Sequence, residues 1–152
     1  MIKRIKNFLK KQKVKIDYYE NGQKKYESWY SLNGKKHRED GPAVQTWYEN
    51  GQKWFERWYL NDKRHREDGP ASQSWYKNGQ KRYEYWVLNN KWHRDDGPTV
   101  QWWHKNGQKA YEDWYLNDKQ YLREKWIERL KKIDSPHYDK QKFLYDAEKY
   151  NL

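Results

Sequence analysis

A short sequence repeat organises most of this chain and constrains its fold more than any other feature. The tetrapeptide Asn-Gly-Gln-Lys starts at Asn21, Asn50, Asn78 and Asn106. The hexapeptide His-Arg-(Glu/Asp)-Asp-Gly-Pro starts at His37, His65 and His93, with the same spacing each time. Ser31 is an extra residue that lengthens the first tetrapeptide interval by one. A fixed period of about 28 residues indicates an array built from one supersecondary unit, and not several independent domains.

Aromatic residues supply the apolar surface that such an array needs. Only 34% of the 152 residues are hydrophobic and 36% are charged, a balance that would otherwise be typical of disorder. The chain nevertheless has 11 Trp and 15 Tyr, and each such ring buries roughly 150–250 Å². The absence of cysteine excludes disulfides, thiolate zinc sites and cysteine nucleophiles. We therefore expect a folded chain with an aromatic core.

The positive charge is concentrated at the two ends. The formal net charge is +11, of which residues 1–16 carry +7, residues 17–118 carry +1 and residues 119–152 carry +3. Long-range attraction to phosphate groups should therefore come mainly from the termini. The first residues lack the long apolar stretch of a secretory signal, which favours a cytoplasmic protein.

Each repeat is predicted to form β-hairpins. Asn-Gly between alternating aromatic residues is a strong hairpin signal and favours a two-residue type I′ loop. Such a loop at Asn50-Gly51 would pair Trp47 with Trp54, Gln45 with Glu56 and Ala43 with Trp58. Eight of the eleven Trp then share one sheet face, which should be covered. The other face would carry a row of tyrosine, histidine and lysine side chains, paired as Tyr48–Lys53, Tyr76–Lys81 and His104–Lys109.

The ends of the chain look helical. Ile2, Ile5 and Phe8 follow a helical stripe, as do Leu122, Trp126 and Leu130. We predict a basic N-terminal helical segment at 1–12, a repeat array at 13–118 and a C-terminal helical cap at 119–152. The predicted fold class is mainly β, a single twisted antiparallel meander of stacked hairpin repeats with short helices at both ends.

The repeat resembles a known family. The order Trp, two or three residues, Asn-(Gly/Asp/Asn)-Lys-x-His, a glycine turn, and Trp-Tyr-x-Asn-Gly is similar to the MORN repeat, in the divergent form of bacterial and phage proteins. The likeness covers residues 14–118. It departs from the family in its longer period, in an inserted Asp-Gly-Pro, and in Arg38, Arg66 and Arg94 where glycine normally follows the histidine. The resemblance implies a single twisted antiparallel sheet.

The functions implied by the resemblance are those of a generic scaffold. The family is linked to protein and lipid contacts, and similar repeats in antitoxin-like and phage proteins suggest an inhibitor in host–phage or toxin conflict. A phage-encoded chain would then act in the host cytoplasm. Function follows from a site and not from a fold, so these remain expectations.

Nothing in the sequence points to catalysis, a metal or a cofactor. His37, His65 and His93 are each followed by an aspartate, at Asp40, Asp68 and Asp96. Each set recurs one repeat later, whereas a catalytic site occurs once. We expect these residues to hold structural corners, with the aspartate bound to its own turn.

Four glutamates are predicted to form a structural ladder on the tryptophan face. They are Glu27, Glu56, Glu84 and Glu112. Unpaired buried carboxylates cost several kcal/mol, so we expect them to pair with Arg38, Arg66 and Arg94. An alternative is a polar rail in an aromatic groove that binds a cationic peptide through carboxylates and cation–π contacts.

The candidate binding residues lie on the opposite face and at the N-terminus. They are Tyr48, Lys53, Tyr76, Lys81, Trp102, His104, Lys109, Lys3, Arg4 and Lys6. A protein partner with an acidic surface is the favoured occupant. Nucleic acid or nucleotide binding is the alternative, because aromatic rings stack on bases and lysines neutralise phosphates. A membrane surface is not favoured, and an edge strand could pair with a second chain.

Overall fold

Successive hairpins join into one antiparallel sheet. The computed structural model describes residues 12–151. Nine strands follow one another across the sheet in chain order, namely β1 (Gln12–Tyr18), β2 (Lys24–Ser31), β3 (Val44–Trp47), β4 (Lys53–Arg57), β7 (Ser72–Trp75), β8 (Lys81–Tyr85), β11 (Val100–Trp103), β12 (Lys109–Leu116) and β13 (Lys119–Tyr121). Two short hairpins complete the β structure, β5 (Tyr59–Leu60) with β6 (Lys63–Arg64) and β9 (Val87–Leu88) with β10 (Lys91–Trp92). The predicted mainly β fold class is confirmed.

Two helices follow the sheet, α1 (Arg123–Lys132) and α2 (Tyr138–Tyr150). Trp126, Ile127 and Leu130 lie on one face of α1 and are buried with Trp114 and Leu116 of β12. Trp126 Nε1 donates a hydrogen bond to the Arg94 carbonyl oxygen at 3.2 Å, which ties α1 to the third repeat. The predicted C-terminal cap begins with strand β13 and not with a helix. The predicted N-terminal helix at 1–12 lies almost wholly outside the described residues.

The Asn-Gly loops differ from the prediction. The Tyr48 N–H donates to the Gln52 carbonyl at 2.8 Å and the Gly51 N–H to the Tyr48 carbonyl at 2.9 Å, so the loop has three residues. Gly51 has a φ of 81°, whereas Asn50 is not among the residues with positive φ. This is a type I turn followed by a left-handed glycine. The predicted type I′ loop at Asn50-Gly51 is therefore wrong.

Type I′ geometry occurs instead at the outer hairpins, by which we mean β5–β6, β9–β10 and the β12–β13 turn. Both central residues of each turn have positive φ, 51° and 66° at Asn61 and Asp62. The first repeat differs because Ser31 is inserted. There the Gly34 N–H donates to the Ser31 carbonyl at 3.0 Å and Gly34 has a φ of 79°. The added residue thus changes the class of the turn.

A β-bulge restores the predicted register within the strands. Gln45 faces Glu56, as predicted, and the same register pairs Thr46 with Phe55, but Trp47 faces Lys53 and not Trp54. The loop has one residue more than predicted, and the bulge adds one unpaired residue to β4. The two changes compensate each other, so the predicted pairing holds from Thr46 and Phe55 onward. Irregularities recur at the same place in the other hairpins.

Each repeat is hydrogen-bonded to the next at both ends of the hairpins. The Tyr48 hydroxyl donates to the Trp75 carbonyl at 3.0 Å, and the corresponding tyrosines 19 and 76 do the same. At the outer hairpins, the Asp62 N–H donates to the Lys36 carbonyl at 2.9 Å and Asp62 Oδ1 accepts from the Lys36 N–H at 2.8 Å. These contacts recur at the equivalent positions of the following repeats and hold the spacing of the array.

Candidate functional site

One face of the sheet carries a row of alternating glutamate and glutamine, and we call it the glutamate face. The row crosses the sheet in the order Ile16, Glu27, Gln45, Glu56, Gln73, Glu84, Gln101 and Glu112. Glu27, Glu56 and Glu84 are only 6%, 8% and 8% exposed. Three buried carboxylates in one row require partners for their charge.

Lysines, together with only one of the predicted arginines, provide these partners. Lys53 Nζ lies 2.6 Å from Glu56 Oε2, and Lys24, Lys81 and Lys109 pair in the same way with Glu27, Glu84 and Glu112. The bulge places Lys53 opposite Trp47 on the glutamate face, which contradicts its predicted position on the other face. Of the predicted arginines, Arg38 alone reaches a ladder glutamate within the described chain, at 3.4 Å from Glu27.

The first glutamate of the row has a shifted pKa. Burial raises the pKa of Glu27, but hydrogen bonds from Lys24 and Trp29 outweigh this effect and leave the pKa below its usual value. The ionised carboxylate is therefore the form that the fold stabilises.

Each arginine of the hexapeptide packs between a tryptophan ring on one side and a glycine on the other. The Arg66 guanidinium lies 4.1 Å from the Trp58 ring centroid, and Arg66 Nε lies 2.9 Å from Asp68 Oδ1. A Cβ at Gly69 would lie 2.7 Å from Arg66 Cζ. The same arrangement recurs at Arg38 and Arg94, and it explains why Asp and Gly follow Arg in the motif.

The tryptophans of the glutamate face are covered mainly by the chain's own cations. The hexapeptide arginines lie over Trp29, Trp58 and Trp86, and Lys24, Lys53 and Lys81 lie over Trp47, Trp75 and Trp103. Helix α1 packs only on Trp114 among them, with the two ring centroids of Trp114 and Trp126 4.6 Å apart. Within residues 12–151, these cation–π contacts cover most of the tryptophan rings, and a helix covers only the last of them.

The histidines of the motif bind the backbone of the next repeat. His37 Nδ1 accepts from the Asn61 N–H at 3.3 Å, and His65 and His93 accept from Asn89 and Asn117. Within residues 12–151, no three histidine, aspartate or glutamate side chains are arranged to hold a metal ion. The geometry gives these histidines a role in stacking the repeats.

The opposite face holds a cluster of aromatic and arginine side chains. Tyr83 and Tyr85 stack with ring centroids 4.6 Å apart, and Trp102 lies 5.6 Å from Tyr83. Arg57 lies in the same cross-strand row as Tyr85, with Ser72 between them, and the positive charges of Arg57, Arg64 and Arg82 act on the Tyr85 hydroxyl. We call this surface the aromatic–arginine face, and its members are Tyr83, Tyr85, Trp102, Arg57, Arg64 and Arg82. It rests on buried small side chains of the sheet, among them Ser72, Ser74 and Val100.

Its arginines are not neutralised by carboxylates of the described chain. In residues 12–151 the arginines that form ion pairs are Arg38, Arg66, Arg94 and Arg123. Burial raises the pKa of Tyr85, and the positive charges of Arg64, Arg82 and Arg57 act against that increase. Asp113, which faces Val100 in the sheet, accepts hydrogen bonds from Tyr111, Tyr115 and Gln120. Three guanidinium groups without an ion pair in this range therefore favour an anionic partner.

The structure separates the predicted binding residues. Trp102 lies on the aromatic–arginine face and is 36% exposed. Tyr48 and Tyr76 are half-buried and use their hydroxyls to join repeats, while His104 is exposed beside the last Asn-Gly loop. Lys53, Lys81 and Lys109 belong to the glutamate face. Lys3, Arg4 and Lys6 lie outside the described residues.

Sequence reasoning missed most of the aromatic–arginine face. Strand alternation within the predicted hairpin places Tyr83 opposite Ser74, and two residues further along the strand Tyr85 lies opposite Ser72. The same step from Phe55 leads to Arg57. Arg64 could not be placed in this way, because it lies on an outer hairpin whose packing depends on the three-dimensional structure.

Comparison with protein-family models, curated proteins and solved structures gave no match for this chain. No helix within residues 12–151 combines the length and the apolar character needed to cross a bilayer. The interpretation of function therefore depends on the geometry of the two sheet faces.

Proposed function

We propose that this chain is a non-catalytic scaffold of MORN-like repeats that binds an acidic protein through its aromatic–arginine face. The observation that carries the proposal is the cluster of Tyr83, Tyr85 and Trp102, together with three arginines whose charges act on Tyr85 and that form no ion pair within residues 12–151. Tryptophan, tyrosine and arginine are the residues most enriched at protein–protein hot spots, whereas lysine and glutamate are depleted at interfaces.

The packing of the rings favours a protein over a single-stranded nucleic acid. A base-stacking platform needs ring faces that are open to solvent. Here Tyr83 stacks on Tyr85, Tyr85 lies 5.4 Å from Trp92, and Trp102 tilts against both tyrosines. The ring faces that pack against one another are not open to a base, and the cluster as a whole is an aromatic surface that suits contact with another folded surface.

A finer form of the proposal follows from the resemblance to the MORN repeat. The chain would act in a bacterial cytoplasm as an inhibitor in host–phage or toxin conflict. Binding to one acidic surface, with no chemistry of its own, is the activity that such an inhibitor requires.

Affinity capture with matched variants tests the proposal. The immobilised chain, the double variant Trp102→Ala/Arg82→Ala and the control Lys105→Ala are exposed to nuclease-treated lysate of the native host. We expect the unmodified chain and the Lys105→Ala control to retain an acidic protein that the double variant does not retain. The purified partner should bind the double variant at least about 30-fold more weakly than it binds the unmodified chain, which is the effect expected of truncating a hot spot.

A titration with mixed-sequence single-stranded DNA and RNA provides the opposing outcome. Saturable binding with a dissociation constant below about 1 μM near 150 mM salt, lost on Trp102→Ala, would overturn the protein proposal, because non-specific contacts alone reach roughly 1–100 μM. Equal retention of the partner by all three baits would remove the aromatic–arginine face from the interaction.

A further inference from the structure

The two edges of the sheet are built differently. At one edge, β13 is three residues long and contacts α1. At the other edge, β1 is seven residues long and, among the described residues, pairs only with β2. The outer backbone groups of β1 thus form a strand edge of the kind that pairs with another chain.

The sequence of β1 departs from the repeat on the glutamate face. Counted from the Asn-Gly loop, Ile16 occupies the position that is Gln45, Gln73 and Gln101 in the later repeats. Val14 likewise occupies the position of Ala43, Ala71 and Thr99. Val14 and Ile16 are 42% and 38% exposed, whereas Ala43 and Ala71, the counterparts of Val14, are fully buried and the glutamines that correspond to Ile16 are half-buried. At this edge an exposed aliphatic pair therefore occupies the positions of a small buried residue and a glutamine in the later repeats.

The opposite face of β1 carries Lys13, Lys15 and Asp17, and all three side chains are exposed. Lys15 and Asp17 have side chains 67% and 52% exposed, and Lys15 Nζ lies 3.9 Å from Asp17 Oδ2. In an antiparallel pair of β1 strands centred on Ile16, each Lys15 faces the Asp17 of the other strand. Centring the pair on Asp17 places two aspartates opposite each other, and centring it on Lys15 places two lysines opposite each other beside two Lys13–Asp17 pairs. Like charges that face each other destabilise a strand pair, so the register centred on Ile16 is favoured because it contains none.

We propose that two copies of this chain pair edge to edge through β1, antiparallel and centred on Ile16. The two Ile16 side chains meet on the glutamate face, each Val14 faces a Tyr18, and two Lys15–Asp17 pairs form on the other face. Strand addition supplies backbone hydrogen bonds, and the side chains select the register. The inference goes beyond the proposed function and does not depend on it.

The symmetry of this dimer has a consequence for binding. An antiparallel pair within one sheet has its two-fold axis perpendicular to the sheet, so equivalent faces of both copies point the same way. The dimer would present two aromatic–arginine faces on one side of a continuous sheet. Two linked sites raise the apparent affinity for a partner that also carries two copies of its epitope.

Charge reversal across the two copies provides the test. Sedimentation measurements on the full chain should show a monomer–dimer equilibrium. Lys15→Asp and Asp17→Lys should each weaken dimerisation about tenfold or more, since each turns two attractive pairs into repulsive ones. An equimolar mixture of the two variants should form a heterodimer, because positions 15 and 17 are then both acidic on one β1 and both basic on the other.

Several outcomes would overturn the inference. Both substituted side chains are exposed, so circular dichroism and the melting temperature should stay close to those of the unmodified chain. Lys119→Asp, on the strand at the other edge, makes the same change in charge and should dimerise normally. A chain that stays monomeric up to about 1 mM, a dimer insensitive to both reversals, or a mixture that fails to restore association would each rule out pairing through β1.

Discussion

At the scale of the residue, Glu27 makes the stability of the fold depend on pH. Its pKa is lowered in the folded chain, so its contribution is complete above the unfolded pKa, about 4.3. That contribution is lost as the pH falls through the lower, folded pKa. We expect Glu27→Gln to reduce the free energy of unfolding by about 1–3 kcal/mol at pH 7 and by much less near pH 3, as measured by urea denaturation.

Glu49 offers the matched control, since it is an exposed glutamate in the neighbouring Asn-Gly loop. Glu49→Gln should change the free energy of unfolding by less than about 0.5 kcal/mol at either pH. A deficit of Glu27→Gln that is the same at pH 3 and pH 7 would contradict a role for the ionised carboxylate.

The sequence predicted the glutamate row but not its cations. Gln45 opposite Glu56 follows from alternation alone, and the need for partners follows from burial. Lys53 could be assigned to the row only with knowledge of the bulge at Trp54, since strict alternation places Lys53 on the opposite face. Arg66 was a reasonable choice by spacing, but Asp68 and the Trp58 ring hold it.

At the scale of the element, the two loop classes predict opposite responses to glycine. Asn89 has a φ of 52°, and its side chain makes no hydrogen bond within the described residues. Asn89→Gly should therefore leave the stability unchanged or raise it by up to about 1 kcal/mol, because glycine adopts positive φ without strain. Thermal and urea unfolding measure the difference.

Asn50→Gly should have the opposite sign. Asn50 Oδ1 accepts from the Gln52 N–H at 3.2 Å, and Asn50 is not at positive φ. Glycine would lose this hydrogen bond and gain unfolded-state entropy, which together cost about 1–2 kcal/mol. If Asn50→Gly stabilised the chain, the three-residue loop would be the wrong description.

Turn class was the element-scale feature that the sequence could not decide. Asn-Gly satisfies a type I′ loop, with both residues at positive φ, and equally a type I turn in which only glycine is left-handed. The outer hairpins contain Asn-Asp and Asn-Asn, a weaker signal, yet they adopt the I′ geometry. Hydrogen bonds between successive outer hairpins fix that choice, and these are contacts of the assembled array.

At the scale of the whole molecule, the array should tolerate the loss of one complete repeat. Deleting residues 48–75 joins Trp47 to Tyr76. Trp47 then takes the place of its counterpart Trp75, so the repeat sequence is unbroken at the junction. We expect the shortened chain to fold and unfold cooperatively. Its urea m-value should be lower by about a fifth, in proportion to the length removed.

Removing half a repeat supplies the comparison. Deleting residues 48–61 leaves β3 without its hairpin partner and shifts every later contact out of phase, so cooperative unfolding should disappear. If both deletions unfolded alike, the stacking contacts between repeats would not be the determinant of stability.

The overall architecture was predictable because period, hairpin signal and aromatic content agree with one another. The aromatic–arginine face was not, since it combines side chains from strands and outer hairpins of different repeats, such as Tyr85 and Arg64. The cover of the tryptophans on the glutamate face was not predictable either. Guanidinium and ammonium groups of the described chain lie over rings such as Trp58.

The turn that contains Ser31 shows where this architecture can change length. One added residue is accommodated by a switch to a loop with left-handed Gly34, while Trp29 and His37 keep their mutual hydrogen bond at 3.0 Å. The tips of the outer hairpins are therefore points at which foreign sequence could be grafted. A peptide inserted beside Asn33 would be displayed at the rim of the array, with the strands on either side undisturbed.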